Sequence, residues 1–180
     1  MVMPHQTFLR LSRRVAVVAG LALLAGCTVQ PLYQQASPGQ VGTAEILRSV
    51  AIADVDDRVA QQVRNQLVFL LYQGGNSVNP ARYSATIAVT PRVQAVFATT
   101  APDGSTQVTA SRVILSGTVT LTDIAEGTEI ASATRIATAS YDETRQEFAN
   151  LRARRDAEDR AAAALAEQFR IVIAAALARR

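Results

Sequence analysis

The sequence contains no lysine and no tryptophan, and its 180 residues include one histidine and one cysteine. The histidine, His5, lies in an N-terminal segment that we predict to be removed, and the cysteine, Cys27, follows that segment directly. The remaining chain therefore offers no Ser-His-Asp triad, no Cys-His pair, no usual zinc site and no Schiff-base lysine. We predict no catalytic residue, no cofactor and no metal site, although chemistry by carboxylates alone stays open.

Residues 1–26 have the pattern of a secretory signal peptide. Three arginines between residues 10 and 14 precede an apolar run over residues 15–24, which is too short for a bilayer core that needs roughly 20 apolar residues. Leu-Ala-Gly-Cys follows at once and is typical of bacterial lipoprotein precursors. The alternative is an ordinary secreted protein whose cleavage site happens to contain a cysteine. We expect Cys27 to carry the lipid.

Removal of the signal peptide changes the charge of the chain. The full sequence has 18 arginines and 15 acidic residues, and three of the arginines leave with the signal peptide. The mature chain is then formally neutral, so we predict no nucleic-acid partner. Two or three acyl chains, palmitate among them, give a stable membrane anchor. Thr28, where an Asp would favour retention at the inner membrane, favours the periplasmic side of the outer membrane.

The chain after Cys27 divides into a tether and one domain. Residues 27–44 comprise the lipidated cysteine and a tether rich in Gln, Pro, Gly and Ser, and residues 45–180 form the domain. The apolar run over residues 46–53 predicts a first strand. Apolar residues at helical spacing predict a helix over about 56–72 that ends at Gly74 and Gly75.

Alternation of apolar and polar residues predicts three further strands, and an Ala-rich C-terminal segment predicts a long helix. The strands are residues 83–90, 112–121 and 130–137, and the helix begins at about Arg145. A Pro-Asp-Gly turn connects the first two of these strands, and a Glu-Gly turn connects the last two. We predict an α+β domain of order β-α-β-β-β-α, with one four-stranded sheet and two helices packed on one of its faces.

The long helix has an apolar face interrupted by a charged segment. We expect Phe148 and Leu151 to open the apolar face, which Leu165 and later residues continue. Residues 152–160 are densely charged and predict a solvated surface held by pairs of opposite charge four residues apart, unless a partner covers it. Those pairs are Arg152 with Asp156, Arg154 with Glu158, Arg155 with Asp159, and Asp156 with Arg160.

Two strand arginines, Arg112 and Arg135, are the candidate contacts for a lipid phosphate, because guanidinium groups match phosphate geometry. The alternative is that both are ordinary exposed strand arginines. Arg82 and Arg92 flank the second strand and are weaker candidates of the same kind.

Two acidic groups invite a functional interpretation that we do not favour. Asp142 and Glu143 precede the long helix and are expected to cap it. The three aspartates between residues 54 and 57 precede the first helix and are likewise expected to be caps, because they lack the glycine and distal glutamate of a calcium loop.

The sequence resembles the LptE family of lipopolysaccharide-assembly lipoproteins, in its shorter alphaproteobacterial form. The resemblance extends over the chain after the signal peptide. It rests on these residues in this order: Leu24 to Cys27, Pro31 to Tyr33, Arg64 to Leu67, Ser111 and Arg112, Ala139 to Tyr141, Phe148 and Ala149, and Asp156 to Ala162.

The resemblance implies two helices against a four-stranded sheet, and a protein seated in the lumen of the LptD outer-membrane β-barrel. It also implies contact with lipopolysaccharide, which the family makes through basic residues and for which this chain has only arginines. The alternative function is a periplasmic accessory lipoprotein of an ABC-type lipid transporter. A lipid-anchored hydrolase that uses only carboxylates is a third hypothesis.

Overall fold

The fold is taken from a computed structural model that describes residues 42–180, all of which belong to one compact unit. The predicted signal peptide, Cys27 and most of the predicted tether lie outside the described residues. The elements in chain order are α1 (Thr43–Arg48), β1 (Val50–Ile52), α2 (Arg58–Tyr72), β2 (Tyr83–Thr100), β3 (Thr106–Asp123), β4 (Glu129–Asp142) and α3 (Glu147–Leu177).

The strands form one sheet in the order β1-β2-β3-β4, in which β1 is parallel to β2 and the other pairs are antiparallel. Alternate residues of β3, including Val113, Leu115, Val119 and Leu121, point into a core that Leu67 and Phe169 of the helices complete. The predicted α+β class, four-stranded sheet and long C-terminal helix are confirmed.

The first strand is shorter than predicted, because the first part of residues 46–53 is helical. Glu45 lies in the first turn of α1 and Arg48 in the last, and both charges suit the helix dipole. Leu47 anchors this turn in the core, and the Ser49 hydroxyl donates to the Ile46 carbonyl at 2.6 Å. The element order is therefore α-β-α-β-β-β-α, and α1 begins inside the segment predicted as tether.

Helix α2 begins as the aspartates predict and ends at Tyr72, the predicted last residue, so this prediction is confirmed. One carboxylate oxygen of Asp57 accepts the backbone N–H groups of Val59 at 2.8 Å and Ala60 at 3.1 Å. At the other end Gln73 already adopts a left-handed conformation with φ of 51°, and Gly74 follows with φ of 75°. Asp57 is thus the N-cap, whereas Asp54 forms an ion pair with Arg64 at 2.9 Å.

Strands β2 and β3 are much longer than their alternating patterns predict. They continue to the Pro-Asp-Gly turn, where Gly104 has φ of 80° and donates to the Ala101 carbonyl at 2.9 Å. From Pro91 onward every residue of β2 is exposed, and Val96 forms a bulge. Because neither face is buried there, backbone pairing continues without the apolar alternation that sequence analysis detects.

The two edges of the sheet differ. Side chains of α3 cap the edge of β4, where Arg160 donates to the Ser140 carbonyl at 2.9 Å and Gln168 to the Ile136 carbonyl at 3.3 Å. The edge of β2 is covered by β1 only as far as Ala85. The Ala85 carbonyl points to this edge, and because alternate residues of a strand face the same edge, the backbone of Pro91 faces it too. Proline has no N–H group, and at this edge no strand of residues 42–180 needs one from it.

The prediction that Asp142 and Glu143 cap the long helix is wrong. Strand β4 extends to Asp142, and the Glu143 N–H donates to the Thr109 carbonyl at 2.9 Å. The N-cap of α3 is Gln146, whose side chain makes no capping bond. Asn150 instead reaches back and accepts the Thr144 N–H at 2.8 Å. Strand pairing extends further because Tyr141 lies opposite the buried Ser111.

Candidate functional site

The sheet face that the helices leave uncovered is rich in hydroxyl groups. At its centre the side chains, apart from the exposed Ile136 opposite Ser116, are small or hydroxylated: Thr86, Ala88, Thr90, Ser116, Thr118, Thr120, Ser132 and Thr134. Cross-strand hydroxyl pairs link Thr118 to Thr134 at 2.8 Å and Thr120 to Ser132 at 3.2 Å. We call this surface the open face; its centre carries no charge and offers hydrogen-bonding groups.

Arg112 lies on the open face, toward the β2–β3 turn. Its Nε donates to Oε1 of Gln94 at 3.2 Å, and the terminal nitrogens of its guanidinium have no partner among the described residues. Gln94 of β2 is opposite Arg112, and Arg92 is two residues before Gln94 on the same strand, opposite Ile114. Residues two apart on a strand point to the same face, so Arg92 also lies on the open face. Two of the candidate arginines are therefore diagonal neighbours.

Arg135 lies on the other face of the sheet. It is opposite Gly117, which lies directly beneath Leu165 and Phe169 of α3. The Arg135 side chain is exposed and donates to the Thr134 carbonyl at 2.9 Å. The structure therefore does not bring Arg112 and Arg135 together, so they cannot hold the same phosphate group.

The charged segment of α3 is in part an inter-helix contact and not only a solvated surface. The side chain of Glu158 is only 10% exposed and pairs with Arg154 at 3.0 Å and with Arg58 of α2. Arg58 also forms an ion pair with Asp159 at 3.3 Å. The pKa of the Arg58 guanidinium is raised, mainly by its hydrogen bond to Glu158.

Two of the four predicted i,i+4 pairs form in α3. These are Arg154 with Glu158 and Asp156 with Arg160, the latter at 2.8 Å. Since Asp156 pairs with Arg160 and Asp159 pairs with Arg58, neither is left for its predicted partner. Arg152 and Arg155 consequently have no ion-pair partner in the part of the chain that the structure describes.

A cavity of about 370 Å³ lies at the end of the domain opposite the β2–β3 turn. Its apolar lining comes from Ile46, Val78, Pro80 and Leu177. Arg82 also lines it, and the guanidinium carbon of Arg82 lies 5.2 Å from the centre of the Tyr83 ring. No sequence signal pointed to it, because its walls come from α1, the loop before β2 and the last residues of the chain. Its charged residues, Glu45, Arg82 and Arg180, form no catalytic constellation.

Within residues 42–180 there is no cluster of three metal-ligating side chains. The same residues include no helix long and apolar enough to cross a membrane.

Comparison with known proteins decides the family. Residues 47–171 match the family model described as LptE, lipopolysaccharide-assembly. The chain belongs to the LptE family. A search of curated proteins finds no significant match.

Two solved structures share the LptE fold seen here. A proposed lipoprotein from Caulobacter crescentus CB15 has 22% identity and a TM-score of 0.61, covering 77% of this chain and 97% of its own. The rare lipoprotein B from Shewanella oneidensis has 13% identity and a TM-score of 0.52, covering 72% of this chain and 95% of its own. At these identities the likeness concerns the fold alone.

Proposed function

We propose that this LptE-family protein is anchored to the periplasmic side of the outer membrane by lipid on Cys27. There it sits inside an LptD-like β-barrel, assists assembly of that barrel, and helps deliver lipopolysaccharide to the outer leaflet. The family match supports the lipopolysaccharide-assembly role. The observation that carries the proposal of a barrel partner is the open face.

The open face suits the lumen of an outer-membrane barrel, which is polar and wet. Its hydroxyl groups, such as those of Thr118 and Thr134, already satisfy each other and can exchange partners with luminal side chains at little cost. An uncharged centre also avoids burying unpaired charge when the lumen wall closes over it. Antiparallel sheets commonly keep one face in water, and here that solvated face is the surface available to a polar partner.

Arg112 and Arg92 are the proposed contacts for lipopolysaccharide phosphate. They are diagonal neighbours. The terminal nitrogens of Arg112, which have no partner among residues 42–180, can donate two parallel hydrogen bonds to a phosphate. Arg135 is a separate candidate on the opposite face, where it would meet a different part of the ligand or the barrel wall.

The decisive experiment isolates the full-length lipoprotein from membranes in mild detergent. Recovery of a large outer-membrane barrel supports the proposal, whereas recovery of an inner-membrane permease, or of no partner, overturns it. Depletion of the protein should leave lipopolysaccharide in the inner membrane. A Cys27→Ser variant should lose both the lipid mass and the membrane fraction, and a variant that keeps both would refute the anchor.

The arginine contacts are tested by binding of purified protein to lipopolysaccharide. Arg112→Glu should reduce binding, and Arg92→Glu should reduce it further when the two are combined. Arg179→Glu, an exposed arginine at the C-terminus, is the matched control for the loss of positive charge. Equal losses in all variants would show that net charge matters and that no specific phosphate contact exists.

A further inference from the structure

The side of α3 that faces the core extends toward the start of α3, past the first residue of α2, the helix that covers it. One side of α3 carries five residues at helical spacing: Phe148, Leu151, Arg155, Glu158 and Ala162. Glu158 and Ala162 are buried. Helix α2 covers this side only as far as Arg58, its first residue, which pairs with Glu158. Before that point Phe148 is 84% exposed and Leu151 is 47% exposed.

The sheet beneath this uncovered stripe is bare as well. Val93 points to the helix side of β2, because it is opposite Val113, which is fully buried under α3. Val93 itself is 38% exposed, and Ala95, opposite the buried Ser111, is also exposed. This uncovered region lies beyond the first residue of α2, where α2 would lie if it began earlier in the chain. We call it the distal notch and define it by Val93, Ala95, Phe148, Leu151 and Arg155.

The rim of the distal notch is positively charged. Arg155 and Arg152 have no ion-pair partner among residues 42–180, because the nearby Asp156 and Asp159 pair with Arg160 and Arg58. Of the acidic side chains close to this stripe, Glu147 lies in the first turn, where the helix dipole favours it, and Glu143 hydrogen-bonds to Tyr141. An apolar patch beside two unpaired arginines fits an apolar partner that carries carboxylates. A second copy of this chain would bring like charges together.

The backbone of β2 favours a polypeptide over a lipid in this gap. Among residues 42–180 no strand pairs with the outer edge of β2 beyond Ala85, so Val93 and Ala95 present backbone N–H and C=O groups there. An acyl chain laid against that edge would bury these groups without hydrogen bonds, which is costly. A polypeptide segment can satisfy them while its apolar side chains cover Phe148 and Leu151.

We propose that the distal notch binds an apolar segment of the barrel partner whose acidic side chains pair with Arg152 and Arg155. This inference rests on the proposed function, because it assigns the partner to the barrel. It adds the surface through which this chain holds that partner and the chemistry of the partner segment.

The test compares recovery of the barrel with full-length variants expressed in cells. Phe148→Ser combined with Leu151→Ser, and Arg152→Glu combined with Arg155→Glu, should each lower the recovered barrel by about tenfold, because they remove central contacts of an interface. Ile171→Ser and Arg179→Glu alter exposed side chains at the other end of α3 and should leave recovery unchanged. Thermal unfolding of each variant shows that the domain still folds.

A photo-crosslinker placed at Leu151 identifies the occupant. A crosslinked barrel peptide that contains apolar residues and Asp or Glu supports the inference. A lipid adduct overturns it, as does full recovery of the barrel with the notch variants or a barrel complex without any crosslink at Leu151. If the wild-type protein recovers no barrel, the proposed function itself fails, and the inference falls with it.

Discussion

Gly117 of β3 lies against Phe169 of α3 so closely that there is no room for a side chain. A Cβ atom at position 117 would be 2.8 Å from Cζ of Phe169 and 2.8 Å from Cδ2 of Leu165. All three residues are buried, and in a close-packed core the two α3 side chains can move only if their neighbours move as well. The missing side chain lets the long helix approach the middle of the sheet.

Replacement of this glycine should therefore destabilise the fold. Gly117→Ala is expected to lower the free energy of unfolding by about 1–3 kcal/mol, because the added methyl group overpacks the core. Urea denaturation measures the change. Ser116→Ala alters the neighbouring residue on the open face and should have little effect. An unchanged midpoint for Gly117→Ala would show that α3 can move away from β3 at no cost.

Glu158 should matter more to stability than Asp159, although both pair with Arg58. The Glu158 side chain is 10% exposed and accepts from two arginines, whereas the Asp159 side chain is 49% exposed. Glu158→Ala is expected to cost about 1.5–3 kcal/mol, since it removes buried charged hydrogen bonds. Asp159→Ala should cost about 0.5 kcal/mol. Equal midpoints in urea denaturation would contradict this ranking.

The capped edge of β4 should prevent self-association. Arg160→Ala combined with Gln168→Ala frees the carbonyls of Ser140 and Ile136, and each lost bond is expected to cost about 0.5–1.5 kcal/mol. An uncovered edge can pair with another chain, so light scattering should detect oligomers at high concentration. Arg152→Ala, which removes an arginine that bonds to no strand, is the control. A monomeric double variant would mean that the caps serve stability alone.

Tyr72 should make the fold sensitive to alkaline pH. Burial raises the pKa of its hydroxyl above the ordinary value, partly offset by the nearby Arg64, and the hydroxyl donates to the Val50 carbonyl at 2.9 Å. Because the unfolded chain then ionises first, this contribution to stability is present below about pH 10 and is lost as pH rises through the folded pKa.

Tyr72→Phe should lower stability at neutral pH by about 1 kcal/mol and weaken its decline above pH 10. Denaturation midpoints from pH 7 to pH 11 measure both effects. Tyr141→Phe provides a comparison, since burial and the neighbouring Glu143 also raise the pKa of Tyr141. A Tyr72→Phe variant with the same alkaline decline as the wild type would refute the assignment.

Sequence patterns predicted elements best where one face of an element is buried. The alternation around Leu115 and Val119 and the helical spacing from Val59 to Leu71 predicted a strand and a helix that the structure confirms. The same rules failed for residues 91–100, where neither face is buried and the pattern disappears. They failed again at residues 46–48, where a short apolar run suits a helical turn as well as a strand.

Local spacing and composition were enough to predict the α+β class, the long helices, the three longer strands and the family resemblance. The sequence also indicated arginines as the only available cations. Which of these arginines lie together depends on the packing of the helices and the register of the strands. Arg58 pairs with Asp159 across the helix interface and Arg160 pairs with Asp156, so Arg155 and Arg152 have no ion-pair partner among residues 42–180. Strand register puts Arg112 beside Arg92 and away from Arg135. Pairings between distant segments depend on packing and register, which no local pattern encodes.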